Sequence, residues 1–140
     1  MIGIVVITHG KLGEALLESA SMFVSDNRLT RAVSFFPGEG VEDLIASVRT
    51  AMSELRADGG VLALVDLPGG SPARAVGALL LDKERLALVS GVNLPMLVEV
   101  LMLRDSMSLS ELADYAVQSG TEGIVDVGKR IARRGGDPER

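Results

Sequence analysis

The chain carries one histidine, His9, and no cysteine, so near neutral pH its only uncharged nitrogen nucleophile is that imidazole. An imidazole attacks from one ring nitrogen when the other is tied to an acceptor. A carboxylate is the acceptor that also stabilises positive charge on the ring. Asp66 is the candidate for that role: it closes the apolar run Val61-Leu62-Ala63-Leu64-Val65 and is followed, after Leu67 and Pro68, by Gly69-Gly70-Ser71. Glycines before a helix start let backbone N–H groups approach an anion closely, and the positive end of the helix dipole favours the oxygens of a phosphoryl group. A nucleophile, its orienter and an anion cradle suit reversible phosphorylation of a histidine better than hydrolysis. The hydroxyls of Thr8 and Ser71 either bind phosphoryl oxygens or cap backbone groups; for Ser71 the ligand role is favoured, and for Thr8 the two roles stand level. There is no Walker loop and no kinase signature, so neither a cofactor nor a metal is expected.

Each part has a plainer explanation when taken alone. A lone histidine at a strand end is often a satisfied loop residue, an aspartate there can cap a loop, and Gly-Gly-Ser-Pro is first of all a turn and a helix start. The elements that carry these residues decide between the readings. Ile2-Gly3-Ile4-Val5-Val6-Ile7 predicts a strand over 2–8 that delivers His9 at its carboxyl end, where open α/β proteins place their chemistry. Helical spacing of Leu12, Ala15, Leu16 and Phe23 predicts a helix over 11–24, and Ala32 to Phe36 a second strand before the Pro37-Gly38 break. Val41, Leu44, Ile45, Val48, Met52 and Leu55 form the stripe of an amphipathic helix that Asp58-Gly59-Gly60 ends. A strand buried on both faces follows over 61–65.

Ser71 and Pro72 suit the N-cap and first position of a helix through Leu80. Asp82-Lys83-Glu84 then reads as a turn, 86–90 as a strand, and 94–104 as a helix apolar on nearly every side. Ser108 and Glu111 form a capping box for a helix that stops near Gly120, and Gly123 to Val127 predicts a short fifth strand. Strand and helix alternate throughout, which predicts an α/β fold with an open, doubly wound, mainly parallel sheet. Right-handed crossovers give the strand order 2-1-3-4, with the first and third strands adjacent, roughly 4.8 Å apart. His9 and Asp66 then share one crevice.

Composition bounds the rest. The chain has 140 residues, 47% of them hydrophobic, enough for one compact domain without staples. The division expected is a domain over 1–128 and a basic C-terminal tail over 129–140, where Lys129, Arg130, Arg133 and Arg134 read as a solvated, frayed segment. A net charge of −5 argues against nucleic acid as a partner. The apolar runs are too short to span a bilayer, and nothing at the N-terminus resembles a signal peptide, so a cytoplasmic protein is expected.

These residues resemble the enzyme IIA domain of the mannose family of the bacterial sugar phosphotransferase system. The matching pieces are Ile7-Thr8-His9-Gly10, Phe36-Pro37-Gly38-Glu39, Leu64-Val65-Asp66 with Gly69-Gly70-Ser71-Pro72, and Gly91-Val92-Asn93-Leu94-Pro95-Met96-Leu97-Val98-Glu99, in the family's order over about residues 2–127. The resemblance implies that His9 accepts a phosphoryl group on Nε2 from the histidine-containing phosphocarrier protein, with Asp66 holding Nδ1, and passes it to a separate IIB protein. It also implies a homodimer in which an antiparallel strand near the C-terminus, at Gly123 to Val127, is exchanged between subunits. The partner subunit would then cover part of the helix over 94–104. Pro68 departs from the bulky residue usual in relatives, at the rim where partners would dock. Two rival readings are a receiver-type module phosphorylated on Asp66 and the phosphocarrier subunit of dihydroxyacetone kinase. A receiver needs further acidic groups after its first strand, where this chain has Thr8-His9-Gly10.

Overall fold

In a computed structural model the chain is described over residues 1–81 and 85–136; the turn expected at Asp82 to Glu84 lies outside them. The order of elements is β1 (Gly3–His9), α1 (Leu12–Ala20), β2 (Thr30–Phe35), α2 (Val41–Leu55), β3 (Val61–Val65), α3 (Ser71–Leu80), β4 (Leu86–Val89), α4 (Leu94–Leu103), α5 (Leu109–Glu122) and α6 (Val127–Gly136). The four strands form one parallel sheet in the order β2-β1-β3-β4, as the crossover argument requires.

Alternation along the central strands builds two cores, one on each face of the sheet. Ile4, Val6, Leu62 and Leu64 face α1, α4 and α5, packing on Leu97, Val100, Leu112 and Ala116. Val5, Ile7, Ala63 and Val65 face α2 and α3, packing on Leu44, Val48, Val76 and Leu79. Every residue of β3 is buried, which explains a run with no polar position.

Several boundaries differ from expectation, each for a local reason. α1 stops at Ala20, whose carbonyl accepts the N–H groups of both Phe23 and Val24 in a closing turn, and Phe23 ends up 67% exposed. β2 starts at Thr30 because pairing with Ile4 of β1 begins there. Gly70, not Ser71, is the N-cap of α3, with φ −84° and ψ 177°; Ser71 is already helical and its side chain caps nothing. The capping box of α5 forms as read, whereas α5 continues past Gly120 to Glu122.

Within the single chain Gly123 to Val127 pairs with no strand. Gly120 and Ser119 are buried, and the Asn93 side-chain amide donates to the Gly120 carbonyl. The Asp126 carboxylate instead accepts the Lys129 N–H, starting α6. Lys129, Arg130, Arg133 and Arg134 therefore stand on a helix and not on a frayed tail, and all residues from Thr121 to Gly135 are exposed.

Candidate functional site

β1 ends at His9, and Asp66 follows β3 directly; Ile7 and Val65 pair across the two strands, so both side chains emerge at the carboxyl edge of the sheet. Gly10 then turns the chain out of the strand with φ +57°, a conformation that suits glycine, and gives its N–H to the Phe35 carbonyl at 2.8 Å. The predicted pair meets. Asp66 Oδ2 lies 2.9 Å from His9 Nδ1 and also accepts the His9 backbone N–H at 2.9 Å. Its second oxygen, Oδ1, accepts the Leu67 N–H at 2.9 Å.

Burial pushes the Asp66 pKa upward, but the hydrogen bonds from His9 N–H, the His9 ring and Leu67 N–H together outweigh it and hold the carboxyl below its usual range. An ionised carboxylate only accepts, so Nδ1 carries the proton of the neutral ring, and Nε2 keeps its lone pair. The His9 side chain is 44% exposed against 12% for Asp66. The ring is thus held at Nδ1 by a largely buried carboxylate while the side chain as a whole stays partly open to solvent.

Phe35, the residue opposite His9 in the β1–β2 register, packs edge-on to the imidazole with centroids 6.0 Å apart and planes at 82°. On the other side the turn before α3 reaches the ring: a Cβ built on Gly70 would fall 3.3 Å from Nε2. Among the described residues the N–H groups of Gly69 and Ser71 have no acceptor within hydrogen-bond distance, while the Gly70 N–H closes the turn over Pro68 and Gly69, and a glycine N-cap offers no side chain to compete for them. The unpaired amides at the start of α3 therefore belong to the same turn whose Gly70 reaches the ring.

Thr8 belongs elsewhere. It is fully buried, and its Oγ1 accepts the Gly13 N–H at 2.8 Å, tying β1 to the start of α1. Neighbouring residues of a strand point to opposite faces, so the residue that exposes His9 also buries Thr8. Sequence reasoning missed Phe35 and the Leu67 N–H. Phe35 was recoverable from the parallel register, whereas Leu67 contributes only backbone and has no signature.

A family profile described as the PTS system fructose IIA component matches residues 3–117. The chain belongs to the enzyme IIA family of the sugar phosphotransferase system. It is 43% identical over 124 residues to the PTS system mannose-specific EIIAB component of Escherichia coli (strain K12), covering 88% of this chain and 38% of that protein. The chain thus spans well under half the length of that relative. The PTS system fructose-specific EIIA component of Bacillus subtilis (strain 168) is 37% identical over 112 residues, 80% of this chain and 77% of that one. Among solved structures, phosphotransferase system component EIIA from Streptococcus agalactiae superposes with a TM-score of 0.84 at 26% identity, covering 92% of this chain and 99% of that one. The receiver and dihydroxyacetone kinase readings gain no support from these relatives.

Proposed function

We propose that His9 is the phosphoryl carrier, taking the group on Nε2 from a histidine-containing phosphocarrier protein and giving it to a IIB protein. The observation that carries this reading is the single-sided hold on the ring: Nδ1 sits 2.9 Å from a carboxylate, and the turn that starts α3 reaches the Nε2 edge. In the transfer, the Nε2 lone pair forms a bond to phosphorus as the donor's own nitrogen–phosphorus bond breaks, and the electron pair leaves with the donor imidazole. The His9 ring gains positive charge, which Asp66 balances, and the N–H groups of Gly69 and Ser71 receive the phosphoryl oxygens. In-line transfer between two imidazoles asks for positioning and charge stabilisation more than covalent machinery. The 44% exposure of His9 suits donors and acceptors that are themselves proteins.

The carrier domain is read as 1–128, with the basic segment 129–140 following it. No helix among the described residues is long and apolar enough to cross a membrane, which supports a cytoplasmic place. A homodimer is supported by apolar surface left uncovered: Phe23, Met102, Ile124 and Ile131 are 59–78% exposed. A groove of about 440 Å³ between the end of α1, α4 and α5 is lined by Phe23, Leu94, Pro95 and Val98, on the α4 helix whose sequence calls for cover all round. Relatives are named for mannose, fructose and sorbose, a variety that fits a carrier recognising proteins and not sugar.

The test is phosphorylation by phosphoenolpyruvate with the general phosphotransfer components. The wild-type chain is labelled and folded His9→Ala is not. Equal labelling of that variant would remove the proposal.

A further inference from the structure

The N-cap of α3 is a glycine that its own backbone does not require. Gly70 has φ −84° and ψ 177°, extended backbone open to any residue, and serine, asparagine or aspartate would cap the helix better. The ring of His9 supplies the reason. A Cβ at position 70 would lie 2.7 Å from Cε1 and 3.3 Å from Nε2 of His9, while carbon atoms in contact prefer about 3.5–4.0 Å. At Gly69, one residue earlier, a Cβ would meet no heavy atom within 4 Å. The demand for glycine is therefore specific to the position that touches the imidazole.

We propose that Gly70 is a positioning residue: its bare Cα gauges where the His9 ring lies, keeping Nδ1 on Asp66 and Nε2 uncovered. The ring is bounded by the Asp66 carboxylate at Nδ1, the edge of Phe35 and the Gly70 backbone at the Cε1–Nε2 edge. A methyl group at position 70 closes the third boundary inward. Solvent lies on the exposed side, so the ring escapes outward, and what it gives up is the hydrogen bond to Asp66. The consequence for transfer rests on His9 being the phosphoryl carrier; the consequence for the ring itself does not.

The experiment compares Gly70→Ala, Gly69→Ala and the double variant His9→Ala/Gly70→Ala. Nitrogen-15 NMR of His9 should show the proton of the neutral ring fixed on Nδ1 in the wild type and in Gly69→Ala, and a mixture of tautomers in Gly70→Ala. Phosphoryl acceptance by Gly70→Ala should fall on the order of a hundredfold, the scale of an ångström's misplacement. Gly70→Ala should lower the melting temperature more when His9 is present than when His9 is already alanine, where only the loss of a glycine cap remains; if Gly70→Ala does not fold alone, the double variant should fold. A wild-type tautomer and rate in Gly70→Ala, or the same loss of stability in both backgrounds, would overturn the proposal. If the wild-type chain accepts no phosphoryl group, the functional reading fails, while the NMR and melting comparisons still decide the role of Gly70.

Discussion

Asp66 shows how one side chain serves both fold and chemistry. Its carboxylate joins the backbone N–H of His9 to that of Leu67, clamping the end of β1 to the end of β3, and the same Oδ2 fixes the imidazole. Asp66→Ala leaves two backbone donors without their acceptor and should cost about 1–3 kcal/mol in chemical denaturation. The clamp is pH-dependent. Because the folded-state pKa is depressed, its stabilisation is present above the ordinary carboxylate value of 3.8 and is lost as pH falls through the lower folded value. The stability gap between wild type and Asp66→Ala should therefore be full at neutral pH and close in strong acid; a gap that persists or widens there would contradict the assignment. Asp66→Asn keeps an acceptor but no charge. It should slow phosphoryl acceptance on the order of a hundredfold with a smaller loss of stability, read by initial transfer rates.

At the scale of elements, the site depends on where helices begin. Thr8 holds the start of α1 through Gly13, so Thr8→Val removes a buried acceptor and should cost about 1–2 kcal/mol while leaving His9 able to accept phosphate. Loss of labelling without loss of stability would return Thr8 to the site. Much of this level was legible. The strand β3, the stripe of α2 and the capping box of α5 follow from pattern alone, because burial on both faces, one-sided burial and end capping each leave a local signature. The order 2-1-3-4 follows from the handedness of the crossovers, and that order alone brings His9 to Asp66. What failed to be legible depended on partners remote in sequence or on a single competing hydrogen bond. Ser71 and Pro72 suit positions one residue earlier than they hold, because the N-cap falls on Gly70, the residue packed against the His9 ring. Gly123 to Val127 has strand composition, yet Asp126 offers its carboxylate to Lys129 N–H and a helix follows.

At the scale of the molecule, the exposed apolar residues call for a partner surface. α6 is a ten-residue helix with Val127 and Ile131 one turn apart and 56% and 64% exposed, beside four cations. A helix of that length is marginal in water without tertiary contacts. In the proposed homodimer, replacing both Val127 and Ile131 by aspartate should shift the chain toward monomer in light scattering. An unchanged mass would place the interface elsewhere.

The most direct measurement of the central claim is phosphorus and nitrogen-15 NMR of the phosphorylated chain. One phosphoryl group should be bonded to Nε2 of His9, with a proton retained on Nδ1 against Asp66 and the adduct lost in acid but stable in base. A phosphoryl group on Nδ1, or a base-labile one on Asp66, would contradict it.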